Sequence, residues 1–331
     1  MRSLSGFARL LTLGLCALGF GAIALSGAPA SAFDYPNHPV RFIVCFAAGG
    51  PNDITARLFG QYLSEKLGQQ FIIENRVGAG GNIGTQAYLA APPDGYTIGF
   101  VGPNNFISAS LYAHLPFDFI HDSEPIGGTM KMTNVLEVNN DVPIKSVAEY
   151  IAYAKANSGK LNFGHGGIGT SPHMSGELLK SMTGVNIVQV PYRGTAPAVT
   201  DLLGGQLQSA FDNLPGSIGH IKTGKLRALG VTAPKRIAAL PDVPAIAETV
   251  PGYAADVYYG ISAPKGTPKE IIAKLNGALN DAMKDPKLLA RIKDLGAEPM
   301  PMSPAEFGKL VQSETDKWAK VVKATGLAQI Q

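Results

Sequence analysis

The chain has 331 residues, 45% hydrophobic and 16% charged, with 28 Lys and Arg against 25 Asp and Glu. That composition is globular and excludes a disordered chain. The near balance of charge, with no basic tract or tail, lacks the electrostatic footprint of a nucleic-acid binder, so no nucleic-acid partner is expected.

Residues 1–32 read as a secretory signal. Arg2 and Arg9 precede an apolar run from Leu10 to Leu25, and Ala30-Ser31-Ala32 supplies a small-residue cleavage site. Gly14, Gly19 and Gly21 break the run, which is short of the ~20 apolar residues a membrane helix needs. Export with cleavage after Ala32 is expected. The mature chain keeps one cysteine, Cys45, so it has no internal disulfide. Its length of about 300 residues predicts two domains.

The first half alternates strand and helix signals. Arg41–Phe46 is a buried-strand candidate and leads into the loop Phe46-Ala47-Ala48-Gly49-Gly50-Pro51-Asn52-Asp53. Ile54, Leu58, Tyr62 and Leu63 then recur at helical spacing before a stop at Gly68. Phe71–Ile73 is a second strand, Asn82–Ala90 a short helix and Tyr96–Val101 a third strand. Such alternation predicts a parallel sheet covered by helices.

The middle repeats this logic. Ser146-Val147-Ala148-Glu149 is a capping box that opens a helix to about Asn157. Leu161–Phe163 is a strand, followed by a second glycine loop, Gly164-His165-Gly166-Gly167-Ile168-Gly169-Thr170. Ser171 is expected to cap the next helix, with Pro172 at its first position and a stop near Gly184. A strand at Val190, a helix over Pro197–Leu203 and strands over Gln208–Phe211 and Leu226–Thr232 follow. The end is helical, with Thr267-Pro268-Lys269-Glu270 and Ser303-Pro304-Ala305-Glu306 both read as capping boxes. Long strands over Glu124–Val138 and Ala255–Ala263 are expected to cross between two lobes and form a hinge. The final helices are expected to return to the first lobe.

A glycine-rich turn between strand and helix offers backbone N–H groups to an anion. Two such loops, on separate halves of an exported protein, predict a cleft that closes on a small anion. Rival chemistries lack their parts. Gly164-x-Gly166-x-x-Gly169 matches a dinucleotide fingerprint in form, but no acidic residue stands in Val188–Tyr192 to hold a ribose. The six histidines show no zinc spacing, so no metal is expected. No Gly-x-Ser-x-Gly elbow exists, although Ser171 or Ser217 with His173 or His220 stands as an alternative hydrolase reading. Cys45, in an apolar strand, reads as a buried inert thiol. No catalytic residue and no cofactor are expected.

Several side chains carry two readings each. Asp53 caps the first helix, or orients its loop and meets a ligand. His173, in a helix's first turn, braces the second loop or faces an anion. Asp212, at a strand end, accepts from a ligand hydroxyl or amine, or is structural. Arg193 pairs with a carboxylate, or is a surface arginine.

The ordered set of segments resembles the periplasmic solute receptors of tripartite tricarboxylate transporters, the Bug family. The resemblance covers essentially the whole mature chain. It rests on Pro39-Val40-Arg41-Phe42-Ile43-Val44 leading into the first glycine loop, Gly78-Ala79-Gly80-Gly81-Asn82-Ile83-Gly84, and Pro93-Asp94-Gly95-Tyr96-Thr97. Further on it rests on Gly169-Thr170-Ser171-Pro172-His173, Val190-Pro191-Tyr192-Arg193-Gly194, Asp201-Leu202-Leu203-Gly204-Gly205-Gln206 and Leu240-Pro241-Asp242-Val243-Pro244. It implies an α/β, two-lobed type II periplasmic-binding-protein fold, each lobe a mixed sheet flanked by helices, joined by a two-strand hinge. Lobe 1 is expected over 33–134 and 256–331, and lobe 2 over 135–255.

It also implies a non-enzymatic receptor, expected to be a monomer, that captures a small carboxylate and delivers it to membrane permease subunits. A receptor for a signalling partner is the remaining alternative. The expected ligand-binding residues are Phe46, Ala48, Gly49, Gly50, Asp53, Asn104, Ile168, Gly169, Thr170, His173, Tyr192 and Asp212. Two departures border the expected cleft. Cys45 stands where the family often has proline, and Gly102-Pro103-Asn104-Asn105 replaces a small, serine-rich loop.

Overall fold

The computed structural model describes residues 34–327, so the expected signal segment lies outside the described residues. The chain opens with β1 (Val40–Val44), α1 (Pro51–Leu67), β2 (Phe71–Asn75), α2 (Asn82–Leu89), β3 (Thr97–Val101), α3 (Pro103–Leu111) and the short α4 (Phe119–Asp122). The long strand β4 (Ser123–Asn139) follows. Then come α5 (Val147–Ala156), β5 (Asn162–His165), α6 (Ser171–Thr183), β6 (Val188–Pro191), α7 (Thr195–Leu203), β7 (Ser209–Asn213), α8 (Leu214–Lys222) and β8 (Leu226–Val231). The chain closes with β9 (Asp256–Pro264), α9 (Lys269–Ala282), α10 (Pro286–Asp294), β10 (Glu298–Pro299) and α11 (Pro304–Thr325).

The strands run in the order β2-β1-β3-β9-β4-β7-β5-β6, with β8 and β10 also paired to β4. Each half repeats one plan. In the first lobe, β1 pairs in parallel with β2 and β3, and β9 lies antiparallel on β3. In the second, β5 pairs in parallel with β6 and β7, and β4 lies antiparallel on β7. β4 changes partners midway. Its residues up to Thr133 pair with β9, and those from Asn134 pair with β7. Asn134 N–H donates to Thr232 Oγ1 at 2.9 Å, and Thr232 N–H returns a bond to Asn134 O at 2.9 Å. Both lobes belong to one compact unit that begins at Pro36.

Helices seal the sheet faces because each presents an apolar side to it. Phe163 and Phe211 meet edge to face at 5.9 Å in the second lobe. α9 packs on α1, and α11 packs on α3, β4 and α6. The buried Trp318 of α11 donates its indole N–H to Glu314 at 3.0 Å.

Three local expectations are corrected. Thr170, not Ser171, stands at the N-cap of α6, and the Ser171 hydroxyl turns to Asn134 Oδ1 at 3.4 Å. The Thr267 hydroxyl donates to Pro264 O at 2.8 Å, so no capping box forms there and α9 starts at Lys269. Gly102–Asn105 is a helix start, because the Asn105 side chain accepts the Gly102 N–H at 3.0 Å. The box at Ser303 does form: its hydroxyl accepts from Glu306 N–H while the Glu306 carboxylate accepts from Ser303 N–H.

Candidate functional site

The parallel strands β1, β3, β5, β6 and β7 all deliver their C-terminal ends to one region between the lobes. Each leads, directly or through a short loop, into a helix: α1, α3, α6, α7 and α8 respectively. Five helix N-termini therefore converge there. First-turn N–H groups have no carbonyl four residues back to bind, and their partial positive charge favours an anion. Ligands of open α/β sheets bind in this position, beyond the carboxyl ends of the strands. Each of the five helices also carries proline among its first three residues: Pro51, Pro103, Pro172, Pro197 and Pro215. Proline fits there because the missing N–H would have had no helical partner.

A cavity of about 180 Å³ occupies this junction. From the first lobe it is lined by Phe46–Ala48, Gly50–Asn52, Pro103 and Asn104, with Tyr259 of β9 at its base. From the second lobe it is lined by Gly166, Thr170–Pro172, Arg193–Pro197 and Asn213. No Asp, Glu or His lines it. Tyr259 is 2% exposed and stacks on Phe100 at 5.2 Å, which fixes the base. A wider depression of about 500 Å³ beside Lys131, Asp256 and Lys293 mixes both charges and gathers no helix N-terminus.

Phe46, Ala48, Gly50, Asn104 and Thr170 of the expected set line the cavity. Gly49, Asp53, Ile168, Gly169, His173, Tyr192 and Asp212 stand behind it or to one side. Asp53 Oδ2 accepts from Gly49 N–H at 2.9 Å and from Arg57 Nε at 2.8 Å, while Oδ1 accepts from Asn75 Nδ2 at 3.0 Å. Burial opposes its charge, but these bonds outweigh burial and hold the carboxylate below its usual range. Asp53 thus braces the first glycine loop from beneath.

His173 plays the matching part in the second loop. Its Nδ1 accepts the Gly169 N–H at 3.3 Å, which puts the ring proton on Nε2. His165 packs beside it, ring centres 4.8 Å apart, and meets Gly167 and Gln189. Burial lowers His165 to about 4 and His173 to about 3, so both are neutral at pH 7. Thr170 donates its hydroxyl to Gly167 O at 2.7 Å. Much of the donor capacity in both glycine loops is spent on the loops themselves. First-turn residues of α1, α3, α6 and α7 line the cavity, where N–H groups have no carbonyl four residues back within the helix.

The remaining expected residues have other neighbours. The Tyr192 hydroxyl donates to Asp201 at 2.6 Å. Asp212 is 1% exposed and contacts the Ser217 hydroxyl at 2.5 Å. Ile168 packs on the core, and its carbonyl abuts Gly80, where a Cβ would come within 2.8 Å. Gly80 sits at φ 63°, so glycine is required there on both counts, and the two lobes touch along this rim.

Residues outside the expected binding set also line the cavity: Asn213, Tyr259 and Thr195 among them, and Arg193, whose role the sequence left open. Neither Ser171 nor Ser217 bonds a histidine. Ser171 meets Asn134 and Asn213, and Ser217 meets Glu137 and Asp212. The family model for the tripartite tricarboxylate transporter family receptor matches residues 55–327. The protein BugT of Bordetella pertussis is 35% identical over 310 residues, spanning 93% of this chain and 95% of that one. Among solved structures, R. palustris Rpa4515 with adipate superposes with a TM-score of 0.86 at 37% identity, over 89% of this chain and 100% of that one. MatC from Rhodopseudomonas palustris with bound malate gives 0.82 at 33% identity, over 87% of this chain and 100% of that one. The chain belongs to the tripartite tricarboxylate transporter receptor family, the Bug family of periplasmic solute-binding proteins.

Proposed function

We propose that this protein is a periplasmic receptor that captures a small carboxylate between its lobes and passes it to the permease subunits of a tripartite transporter. The observation that carries this reading is the convergence of five helix N-termini on a cavity lined by no acidic side chain. Such a cavity favours an anion by fixed dipoles alone. Its volume of about 180 Å³ is below the range of drug-sized sites, which matches a small acid. The relatives solved with adipate and malate agree in ligand chemistry.

In this reading lobe 1 comprises 33–134 and 256–331, and lobe 2 comprises 135–255. The strands β4 and β9 are the hinge, and the protein acts as a monomer without catalysis. Phe46, Ala48, Gly50, Asn104 and Thr170 shape the ligand's surroundings. Gly49, Asp53, Ile168, Gly169, His173, Tyr192 and Asp212 act on the ligand through the loops and helix ends they hold. A thermal-shift panel of mono-, di- and aromatic carboxylates tests the proposal. At least one acid raises the melting temperature in a concentration-dependent way, as binding to the folded state requires. A flat response across the whole panel overturns it.

A further inference from the structure

Two acids lie buried behind the second-lobe wall of the cavity. Glu137 of β4 is 0% exposed and Asp212 of β7 is 1% exposed. Between them stands the Ser217 hydroxyl of α8, 2.7 Å from Glu137 Oε1 and 2.5 Å from Asp212 Oδ2. Glu137 Oε2 has no hydrogen-bond partner among the described residues. One hydroxyl proton cannot serve two ionised carboxylates, so at neutral pH the pair holds one proton and one negative charge. Asp212 carries the charge, because Thr195 and the Asn213 N–H also steady its ionised form, whereas Glu137 has Ser217 alone. That charge sits beside the cavity. Thr195 and Asn213 themselves line it, and burial together with the Asp212 charge holds the proton of Tyr259, at the base, above its ordinary range. The first turn of α8 closes on the same carboxylate: a Cβ at Gly216 would meet Asp212 Oδ2 at 2.5 Å.

No cation neutralises the pair. β4, β5, α6, α7 and α8 pack on β7. On β4, Lys131 pairs with Asp256 and Glu124 with Lys265. His165 of β5 meets Gln189, and on α6 His173 meets Gly169 while Glu177 meets Lys180. Asp201 of α7 meets Tyr192, and His220 and Lys222 stand in the last turn of α8. Arg193, on the cavity wall, acts on neither acid. This inference rests on the reading of the cavity as a carboxylate site and concerns how that site is regulated. A carboxylate entering the cavity meets the Asp212 charge across one layer of side chains. At an effective dielectric of about 20, an anion within about 12 Å makes an acid about tenfold harder to ionise. We propose that Glu137 and Asp212 form a proton-binding site linked to the cavity: capture of a carboxylate draws a proton from solvent onto the pair, and capture tightens as the medium acidifies. The proton ends on the Asp212 carboxylate, and by reciprocity it strengthens the hold on the ligand by the same factor.

Calorimetric titration of the mature protein tests this with acetate, benzoate, succinate, glutarate and adipate, each at pH 6.5 in two buffers of different ionisation heat. For an acid that binds, about half a proton is expected to enter the protein per ligand, once the acid's own ionisation is subtracted. That amount follows when a group titrating at about 6 becomes about tenfold harder to ionise. Affinity is expected to fall about fivefold from pH 6 to pH 8. His165 and His173 are neutral across this range and contribute nothing. Combining Glu137→Gln with Asp212→Asn keeps the size of both side chains and removes both charges. In that variant, its folding verified by a melting curve, the uptake and the pH slope are expected to vanish. Should it fail to fold, the wild-type proton count decides alone, present at pH 6.5 and gone at pH 8.5. Binding of an acid without proton uptake, or an uptake undiminished in the double variant, overturns the inference and leaves the carboxylate site standing. Failure of every acid to bind overturns both.

Discussion

Asn213 donates its side-chain amide to Asn134 Oδ1 at 2.6 Å, joining the cap of α8 to the point where β4 passes from one lobe to the other. Asn213 also faces the cavity, and Asn134 is fully buried. Asn134 Nδ2 in turn donates to Ser175 of α6 at 3.0 Å, so one side chain ties two cavity helices to the hinge strand. Replacing Asn134 with alanine leaves the Asn213 amide without its shortest bond. A buried donor stripped of a partner costs about 1–3 kcal/mol. Urea denaturation of Asn134→Ala is expected to show a loss of that size. A loss within about 0.5 kcal/mol, the range of neutral surface changes, contradicts the role assigned to it.

Beneath the same wall, the Ser217 hydroxyl lies 2.7 Å from Glu137 Oε1 and 2.5 Å from Asp212 Oδ2. A hydroxyl carries one proton, so two ionised carboxylates cannot both be satisfied by it. One contact is made by a carboxyl proton, and the two acids titrate as a pair. Burial pushes Asp212 up to about 6, and burial with the nearby Asp212 charge holds Glu137 well above its ordinary value. The folded state therefore keeps a proton that the unfolded chain releases above about pH 4. The contribution to stability is full below the unfolded value and is lost as pH rises through about 6. Denaturation curves of wild type and Asp212→Asn between pH 4 and 7 are expected to differ in slope, the wild type losing stability relative to the variant as pH rises. Parallel curves contradict the shared proton.

The two histidines give the opposite dependence. His165 and His173 are lowered to about 4 and about 3 by burial, so the folded state refuses protons that the unfolded chain accepts below about 6.5. Their contribution is present above that value and is lost as pH falls toward their folded values. In an NMR titration both imidazoles are expected to stay neutral down to pH 5. A midpoint near 6.5 for either ring contradicts the buried bracing of Gly169.

The architecture was legible because its signals are local. Glycine stops, proline at helix starts and apolar strand runs placed most elements within a few residues, and the two long crossing strands declared themselves by length. The site was legible only in part, for reasons of one-residue alternation. Successive strand residues point to opposite faces. Asp212 and Asn213 are neighbours on β7, yet Asp212 enters the core and Asn213 the cavity. Tyr192 and Arg193, in the loop just past β6, also part: Tyr192 turns to Asp201 and Arg193 lines the cavity.

The glycine loops misled by being visible. Gly49 and Gly169 each give their N–H to a side chain four residues on, Asp53 and His173, so these donors serve the loop. The signal shared by all five cavity helices is proline among the first three residues of a helix that follows a parallel strand. α3 escaped because its cap is the Asn105 side chain reaching back to Gly102, a contact with no conventional capping residue in front of it.

The most direct test of the account is native mass spectrometry of the protein purified without denaturation, followed by identification of any small molecule it releases. A retained or readily exchanged small carboxylate is expected at one per chain, displaced by excess of the same acid carrying an isotope label. A retained cation, amine or neutral sugar that competes for the cavity, with no carboxylate able to displace it, would contradict the central claim.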